Sequence, residues 1–506
     1  MALGGAQYYD DPMLQREADV RLRSETQMNA PAPFSAWRGG QAPPAALGWV
    51  PRMTESWFTR AAGPAAIASV RAARTARLIR FARTHSSYYR SAWSALPRGE
   101  LTLADLPVAN KRDLMSHFDE WVTDSGVTRA GVEAFMADRG HIGERYLGRY
   151  LIWKSSGSTG EPGVYVQDEA SLVTYDALIV LQLAAARLTR QYTWGVLARG
   201  GRAALIAATG DHFASIASWQ RVCRGTPWPN ARAFSVMDPL PDLVASLNAY
   251  QPAFLASYPT MLALLAQEQQ AGRLRVQPAC LWSGGEYLAP STAAAIERAF
   301  GCPLLNEYGA SECMCIASGC REGWLHVNDD WVVLEPVDRD YRPVRPGEPS
   351  HTVLLTNLAN QAQPVIRYDL GDSVVASPTR CHCGSPTPAI RVQGRNDDVV
   401  TFKAPDGRDV SLLPLALTTV VEEAADIHRF QLVARPPRRL ALRIDVGDAE
   451  RRRRIGQAVT SALSRYLATQ SLGDVEVVLD VRHPVVDARS GKLRSVIVER
   501  NSNELG

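Results

Sequence analysis

Apolar segments typical of strands alternate with segments typical of helices between Ala203 and Gly301. The strand-like runs are ALIAAT, AFLASY and ACLWSGG, and the helix-like segments follow Pro241, fill Met261 to Gln270 and follow Pro290. Pro290 near the start of its segment and Gly301 just past the end are sensible limits for a helix. Strand, crossover and strand at this spacing predict a mostly parallel sheet covered by helices, which is an α/β fold.

The pattern changes twice towards the C-terminus, which predicts further structural units. Short extended runs such as VVLEP and TVLLTN, separated by turn residues, predict a small β-rich subdomain at about residues 331–393. Residues 397–506, with strand-like runs around a charged helix from Glu450 to Leu467, predict a small, mobile α+β domain behind a charged hinge. Residues 61–396 are then a large domain, and residues 1–60, broken by prolines and glycines, are an N-terminal arm.

Composition and charge argue against several classes of protein. The chain has 506 residues, 46% of them hydrophobic, which is ordinary for a globular protein with a large core. Its 55 basic and 52 acidic residues give a net charge of +3, so neither a nucleic-acid nor a membrane-surface partner is expected. No apolar run approaches the roughly 18 residues of a membrane span, and the first residues do not resemble a signal peptide. We expect a cytoplasmic enzyme, monomeric or homodimeric.

Lysine is rare in this arginine-rich chain. Lys111, Lys154, Lys403 and Lys492 are the only four lysines among the 55 basic residues. Because lysine presents a compact point charge on a thin stem, whereas arginine presents a broad fork, each of the four is a candidate for a specific function. For Lys111, which begins a predicted helix, chance survival is an equally good explanation.

A loop of small residues and hydroxyls, SSGSTGEPG from Ser155 to Gly163, follows the apolar stretch from Tyr150 to Trp153. Its glycines allow backbone N–H groups to turn towards one point, and its hydroxyls add donors around the same space. This combination predicts a phosphate-binding loop. It is not the common P-loop, because Glu161 and Pro162 stand where that motif needs other residues. The alternative for the nonapeptide alone is a flexible polar surface loop.

Four further motifs supply what a nucleotide site needs beyond phosphate. In SGGEYL the glycines let a flat ring lie against bare backbone, and in EYGASE Tyr308 can stack on a base while Glu312 can hold a divalent cation. RYDLGD ends with Asp372, which can accept the two hydroxyls of a ribose, and SGKLR places Lys492 on a glycine-containing loop. Taken singly, such residues are more often packing or surface residues, but taken in this order they are specific.

The ordered motifs resemble the adenylate-forming superfamily of acyl-CoA synthetases, peptide-synthetase adenylation domains and luciferases, and within it the phenylacetate-CoA ligase branch. The similar strings are FARTHSSYYR, LPVANKRDL, SSGSTGEP, NEYGASE, GWLHVNDDW, RYDLGD, GRNDD and GK, between about Arg77 and Val498. The resemblance implies an ATP- and Mg²⁺-dependent, AMP-forming ligase. A carboxylate attacks the α-phosphorus of ATP to give an acyl-AMP and pyrophosphate, and a nucleophile, most simply the thiol of coenzyme A, then displaces AMP.

The resemblance also implies roles for individual residues. Lys492 reaches the α-phosphate, Glu312 binds Mg²⁺ with Thr159 nearby, and the small domain swings about Asp397 between the two half-reactions. The ATP-binding set consists of the phosphate loop, the adenine frame, the ribose carboxylate and an arginine beside the hinge: Ser155, Ser156, Gly157, Ser158, Thr159, Gly160, Gly285, Glu286, Glu307, Tyr308, Asp372 and Arg395.

Two features leave the affinity and the substrate open. Glu161 stands where many members place a lysine, so phosphate affinity is expected to be modest, although Lys154 enters the loop from the other side. His212, Tyr258 and Trp282 are expected to border the acyl pocket without naming an acid. An aromatic pocket suits an aryl acid, but plain core packing explains the rings equally well.

Cysteine and histidine cluster in two segments of the chain. Five of the eight cysteines fall into two short groups, which in a reducing compartment favours metal over disulfide. We predict a structural zinc clamp, of a kind that some members of the branch carry. The predicted ligands are Cys320, His326, Cys381 and Cys383, with Cys313, Cys315 and His382 as substitutes. The alternative is buried cysteines without a ligand.

Three functions therefore remain open at this stage. The first is an aryl- or acyl-CoA ligase. The second keeps adenylation but uses an amine or a carrier-protein thiol as acceptor, or activates nitrite as diazo-forming relatives do. The third, more distant, is an idle nucleotide-binding scaffold, which the presence of Glu312, Asp372 and Lys492 disfavours.

Overall fold

The computed structural model of the chain describes residues 48–155, 163–185, 200–225, 230–393, 400–425, 427, 430–485 and 494–499. The α-helices in these ranges are α1 Trp49–Ala61, α2 Pro64–His85, α3 Ser87–Ala92, α4 Lys111–Ser116, α5 Phe118–Trp121, α6 Arg129–Met136, α7 Glu169–Ala185, α8 Ala214–Gly225, α9 Leu240–Tyr250, α10 Pro259–Gln270, α11 Pro290–Phe300, α12 Pro414–Ala425 and α13 Ala449–Thr469. Within the described residues, no helix is long and apolar enough to cross a membrane.

Among the described residues, fifteen strands precede residue 394. They are β1 Arg145–Tyr146, β2 Tyr150–Lys154, β3 Val164–Gln167, β4 Ala203–Ala207, β5 Ala231–Ser235, β6 Phe254–Ser257, β7 Cys280–Ser283, β8 Leu304–Ala310, β9 Cys313–Gly319, β10 Leu325–Val327, β11 Val332–Val337, β12 Thr352–Asn357, β13 Tyr368–Asp369, β14 Ser373–Ala376 and β15 Ala389–Gln393. The described strands after residue 394 are β16 Val400–Lys403, β17 Asp409–Leu412, β18 Phe430–Arg435, β19 Arg439–Ile444, β20 Glu476–Leu479 and β21 Val496–Val498.

A nine-stranded sheet of order β14-β15-β10-β9-β8-β7-β6-β4-β5 organises the described part of the large domain. Its half from β5 to β8 is parallel, and helices α9, α10 and α11 connect successive strands of that half. The other half, from β8 to β14, is antiparallel. The sequence prediction of a mostly parallel, helix-covered sheet is confirmed for the segment on which it was made.

Proline and glycine set the helix limits that the sequence predicted. α11 begins at Pro290 and is followed by Gly301, whose φ of 64° is in the left-handed region that glycine adopts without strain. α4 begins at Lys111, where the side chain of Asn110 accepts a hydrogen bond from the N–H of Asp113 at 2.9 Å. This is the usual function of an asparagine at a helix N-cap.

The β-rich region is organised differently from the sequence expectation. β11, β12 and β13 form a small separate sheet, but β14 and β15 continue the nine-stranded sheet. The run VIRYD yields only the two-residue strand β13, because Arg367 adopts a φ of 46° and its N–H bonds the hydroxyl of Thr356 at 3.0 Å. A left-handed residue interrupts the alternation that a strand requires.

The first two described helices, α1 and α2, contact the NDDW segment that follows β10. Arg60 bonds Asp330 at 2.8 Å, and the Arg74 guanidinium lies 3.4 Å from the ring centre of Trp331 while donating to the Asp330 carbonyl at 2.6 Å. The indole N–H of Trp331 donates to Ser56 at 2.8 Å. Asp330 is fully buried, and its basic partners offset the free-energy cost of removing its charge from water.

The four-stranded sheet of order β20-β19-β18-β21 carries α12 and α13, and it shares a continuous hydrophobic core with the parallel half of the nine-stranded sheet. The amide of Gln470, just after α13, donates to the carbonyl of Met237 at 2.9 Å. Glu423 of α12 lies 3.5 Å from Arg139 and also approaches Gly210, where an added Cβ would come within 2.6 Å of the carboxylate. A side chain at position 210 would require the carboxylate of Glu423 to move, which this flexible side chain can do.

Candidate active site

The phosphate-binding loop predicted from the sequence has a closed base. Strand β2 ends at Lys154 and β3 begins at Val164, and the N–H of Ser155 donates to the carbonyl of Gly163 at 2.9 Å. The hydroxyl of Ser155 accepts from the N–H of Gly163 at 2.8 Å and from the ammonium of Lys111 at 3.1 Å. Lys111 therefore contacts the base of the loop. The predicted residues at the tip lie outside the described ranges: Ser156, Gly157, Ser158, Thr159 and Gly160.

Lys154 forms an ion pair with Asp211 at the edge of this loop. Its backbone N–H also donates to the carbonyl of His212 at 2.8 Å, so β2 is joined to the turn before α8. Glu423 of α12 lies close enough to interact electrostatically with both Lys154 and Asp211, and burial raises the pKa of its carboxyl group. The base of the predicted phosphate loop thus lies beside a contact with α12.

The glycine-rich turn after β7 contains Gly285, which lies close to an aromatic ring, and Glu286, which caps a helix. Gly285 adopts a φ of 82°, and a Cβ there would lie 3.1 Å from the ring of Tyr258. The carboxylate of Glu286 accepts from the N–H and the hydroxyl of Thr260, at 3.1 and 2.7 Å. These bonds satisfy the first turn of α10, so Glu286 stabilises a helix start beside the predicted adenine frame.

Glu307 and Trp282, on the neighbouring strands β8 and β7, contact each other. The indole N–H of Trp282 donates to the Glu307 carboxylate at 3.1 Å. Burial raises the pKa of Glu307 to about 7, against the opposing effect of this hydrogen bond. Trp282, predicted in the acyl pocket, is thus attached to a residue predicted to frame adenine.

Tyr308 and Asp372 lie 64 residues apart in the chain but share a hydrogen bond. The Tyr308 hydroxyl donates to the Asp372 carboxylate at 2.9 Å. Burial, with the nearby carboxylate of Asp372 as a second cause, raises the pKa of Tyr308 well above its ordinary value. The hydroxyl therefore remains a donor at neutral pH. Tyr308, which is predicted to stack on the base, is thus held against Asp372, which is predicted to bind the ribose.

Glu312 is buried and accepts hydrogen bonds from two tyrosines that the sequence reasoning missed. Tyr368 donates to its Oε1 at 2.8 Å, and Tyr165 donates to the same oxygen. Burial raises the pKa of both tyrosines, which stay protonated at neutral pH. A carboxylate has about four acceptor positions, so two bonds leave capacity for a cation, and a carboxylate fits Mg²⁺.

His212 and Tyr258 are the other two residues predicted at the acyl pocket. Among the described residues, the side chain of each forms a hydrogen bond to a backbone group of another segment. His212 is fully buried, and its Nε2 lies 3.3 Å from the Asp138 carbonyl. Burial lowers the pKa of His212, so the ring is neutral, and Nε2 must carry the proton to bond a carbonyl. The hydroxyl of Tyr258 accepts from the N–H of Ala208 at 3.3 Å.

The predicted residues of the hinge and of the second phosphate contact lie outside the described ranges. These residues are Arg395, Asp397 and Lys492. The described chain resumes at Val400 after the first two and at Arg494 after the third.

The four predicted zinc ligands lie together on the antiparallel side of the large sheet. The ligand atoms of Cys320, His326, Cys381 and Cys383 all lie within 4.8 Å of one another. The sulfur atoms of Cys320 and Cys381 are 3.7 Å apart, and the Cys383 sulfur lies 3.1 Å from Nε2 of His326. The substitutes do not belong to this group: Cys313 and Cys315 are buried in β9, and His382 lies outside it.

The donor set fits zinc chemically. Ligands about 2.3 Å from a tetrahedral zinc place two sulfur atoms about 3.8 Å apart, close to the observed separation of 3.7 Å. Nδ1 of His326 lies 3.0 Å from the Thr387 carbonyl and must donate to it, which leaves the unprotonated Nε2 facing the thiols. A second hydrogen bond of this kind commonly orients a histidine that binds a metal.

We expect the Glu307→Gln variant to lose part of the pH dependence of stability. The pKa of about 7 in the folded protein lies above the ordinary value near 4.5, so the unfolded chain releases this proton first. The carboxyl group therefore makes stability fall as pH rises from about 4.5 to 7, and the decrease levels off above that range. A neutral amide cannot titrate.

The measurement is the melting temperature between pH 4.5 and 8. The decrease across this interval should be smaller in Glu307→Gln than in the wild type. The control is Glu100→Gln, because the side chain of Glu100 is 92% exposed and its loss should leave the wild-type profile unchanged. Identical profiles for Glu307→Gln and the wild type would contradict the assignment.

Comparison with known proteins identifies relatives of the chain. Residues 150–347 match the family described as AMP-binding enzyme. Phenylacetate-coenzyme A ligase of Thermus thermophilus is 25% identical over 382 residues, which cover 68% of this chain and 80% of that protein. Protein CapK of Staphylococcus aureus is 26% identical over 133 residues, which are 26% of this chain and only 28% of CapK.

Solved structures show the same fold over nearly the whole chain. The structure of 2-hydroxyisobutyryl-CoA ligase with 2-HIB-AMP and CoA, in the thioesterification state, has a TM-score of 0.53 at 20% identity. It covers 93% of this chain and 96% of that one. The same enzyme in the postadenylation state with R3-HIB-AMP gives a TM-score of 0.50 at 20% identity, with the same coverage of both chains.

The chain thus contains an AMP-binding enzyme domain, has a homologue in phenylacetate-CoA ligase and adopts the fold of acyl-CoA ligases. Its relatives include acyl-CoA ligases of the adenylate-forming superfamily, and these similarities support an AMP-forming ligase.

Proposed function

We propose that this protein is an acid–CoA ligase. It joins a small carboxylic acid to ATP, releases pyrophosphate, and passes the acyl group from the acyl-AMP to the thiol of CoA. The observation that carries the proposal is the buried carboxylate of Glu312, which two tyrosines hold close to the predicted phosphate loop. One of them, Tyr165, lies two residues after the loop. Two of the relatives, a phenylacetate-CoA ligase and a 2-hydroxyisobutyryl-CoA ligase, support CoA as the acceptor.

In the first half-reaction the residues of the site bind and orient ATP. Glu312 and Thr159 would hold Mg²⁺, which neutralises charge on the phosphates. Asp372, held by Tyr308 at 2.9 Å, accepts from the ribose hydroxyls, and the adenine lies near Gly285 and Tyr308. The acid's carboxylate oxygen bonds to the α-phosphorus as the bond to pyrophosphate breaks. Lys492 stabilises the charge that develops on the α-phosphate.

In the second half-reaction the CoA thiol attacks the acyl carbon and AMP leaves with the electron pair of the broken C–O bond. The small domain turns about Asp397 between the two steps, which withdraws Lys492 and admits CoA. The zinc clamp is structural in this proposal. The domain limits at residues 60 and 397 and a cytoplasmic location belong to it as well.

Pyrophosphate release across a panel of acids tests the proposal. The panel includes phenylacetate, 2-hydroxyisobutyrate and nitrite, each with ATP and Mg²⁺ and each with and without CoA. We expect at least one carboxylic acid to stimulate pyrophosphate release, and CoA to yield AMP and a thioester. Release with nitrite alone would instead support the diazo-forming alternative. Acid-dependent release without a thioester would support an amine or a carrier protein as acceptor, and no acid-dependent release would refute adenylation.

A further inference from the structure

Glu312 lies in the two-residue turn between β8 and β9, and its carboxylate is held at one oxygen. The hydroxyls of Tyr165 and Tyr368 both donate to Oε1, the second of them at 2.8 Å. The two hydroxyl oxygens lie 3.3 Å apart. All three residues are buried, and the tyrosines are 1% and 2% exposed. Because both donors bond Oε1, the acceptor positions of Oε2 take no part in this group of three.

The backbone of the same turn is held by two further side chains. The amide of Asn357, the last residue of β12, donates to the carbonyl of Glu312 at 3.0 Å. The indole N–H of Trp153 in β2 donates to the carbonyl of Ser311 at 2.7 Å. Both Asn357 and Trp153 are fully buried. Because the backbone of the turn is fixed, the remaining freedom of Glu312 is rotation within its side chain, which the two tyrosines restrict.

Tyr165 is itself held by a side chain that bonds the backbone on both sides of it. Strand β3, which contains Tyr165, lies at the edge of its three-stranded sheet. The amide of Gln363 accepts from the N–H of Val166 at 2.8 Å and donates to the carbonyl of Val164 at 3.1 Å. Gln363 is 1% exposed and bonds this edge as a neighbouring strand would. The hydroxyl that Tyr165 directs to Glu312 therefore extends from a fixed backbone.

We propose that Tyr165 and Tyr368 are positioning residues for Glu312. By holding Oε1 they keep the carboxylate in one orientation, so that Oε2 can bind a divalent cation without further ordering of the side chain. This inference rests on the proposed function, in which Glu312 binds the Mg²⁺ that accompanies ATP. Hydrogen-bond partners that orient a metal ligand contribute roughly ten- to a hundredfold to metal affinity. The two hydroxyls therefore set how much Mg²⁺ the enzyme requires.

Tyr165→Phe and Tyr368→Phe test the proposal, because each removes one hydroxyl and keeps the ring. Binding of Mn²⁺, a probe for Mg²⁺, is measured by electron paramagnetic resonance with a non-hydrolysable ATP analogue present. We expect each variant to bind Mn²⁺ about tenfold more weakly than the wild type. The Mg²⁺ concentration that gives half the maximal rate of acid-dependent pyrophosphate release should rise by a similar factor. Saturating Mg²⁺ should restore the wild-type kcat, which it could not do if the hydroxyls only supported the fold.

A double variant and a matched control separate positioning from general stability. If the tyrosines act through Glu312, adding Tyr368→Phe to Glu312→Gln should weaken Mn²⁺ binding no further than Glu312→Gln alone. The control is Tyr250→Phe, because Tyr250 is also buried and its hydroxyl donates to the carbonyl of Asn230 at 2.6 Å. This control loses a comparable hydroxyl and should keep the wild-type affinity for Mn²⁺.

The inference and the proposed function fail on different results. Wild-type Mn²⁺ affinity in the tyrosine variants or in Glu312→Gln, or further weakening in the double variant, would overturn the positioning role. Either tyrosine variant decides the matter if the other does not fold, because both hydroxyls bond the same oxygen. The proposed function fails instead if the wild-type protein binds Mn²⁺ through Glu312 but shows no acid-dependent pyrophosphate release.

Discussion

Lys492→Ala is expected to slow acyl-adenylate formation by two to three orders of magnitude, about the cost of removing one group that stabilises charge in a transition state. Negative charge develops at the α-phosphate as the acid's oxygen bonds to phosphorus, and the ammonium group offsets it there. Thioester formation from supplied acyl-AMP should remain within about twofold of the wild type. In the second half-reaction the developing charge lies on the acyl carbonyl, away from the position assigned to Lys492.

The two half-reactions are measured separately, as acid-dependent pyrophosphate release and as CoA thioester formation from acyl-AMP. Lys403→Ala is the matched control, because Lys403 lies in the same domain, its side chain is 65% exposed and it pairs with Asp409 at 2.9 Å. This variant should match the wild type in both assays. If Lys492→Ala slows both half-reactions equally, the lysine supports the fold of its domain rather than the first chemical step.

Local signals in the sequence were sufficient to predict the parallel half of the large sheet. Pro290 and Gly301 bound a helix that the structure places at the same residues, because their backbone preferences act within one turn. The junction at Arg367 was not predictable in this way. Its left-handed backbone is held by Thr356, and its carbonyl accepts from the N–H of Ala109, so distant contacts decide its conformation.

Motifs identified candidate site residues, but not the tertiary partners that orient them. Glu312 was selected from EYGASE, whereas its two tyrosine donors come from other parts of the chain. Tyr368 lies inside the RYDLGD motif, so the sequence does carry a signal for its importance. Glu286 shows the opposite case, since a residue selected for adenine binding has its carboxylate engaged by Thr260 at the start of α10.

The cysteine and histidine group shows how much of a metal site can be predicted from residue types and their spacing in the sequence. The four residues were chosen from the sequence, and the structure brings their ligand atoms within 4.8 Å of one another. A group drawn from segments about sixty residues apart was recognisable because zinc ligands are limited to a few residue types. Which of the neighbouring cysteines belong to the group was decided by the sheet, in which Cys313 and Cys315 are buried in the core instead.

We expect untreated protein to contain about one zinc per chain, because a closed group of four ligands binds one zinc ion. The metal would join the segment around β10 to the loop between β14 and β15. Among the described residues, β10 and β15 pair through Leu325 with Ile390 and His326 with Ala389, and the N–H of Val327 donates to the carbonyl of Pro388, just before β15, at 2.9 Å. With so few backbone bonds between them, removal of the metal should free the loop and lower the melting temperature by several degrees, on the order of 5 °C.

Cys383→Ser tests this expectation without a chelator. Serine is a poor zinc ligand, so the variant should lose the metal and melt at the temperature of chelator-treated wild type, and a chelator should lower its melting temperature no further. Cys223→Ser is the matched control, because Cys223 is a half-buried thiol of α8 outside the group of ligands. It should keep both zinc and the wild-type melting temperature. If metal analysis finds no zinc in untreated protein, the prediction of a zinc site is wrong. The three thiols and the imidazole would then only pack against one another, and replacing one of them would remove only its local contacts.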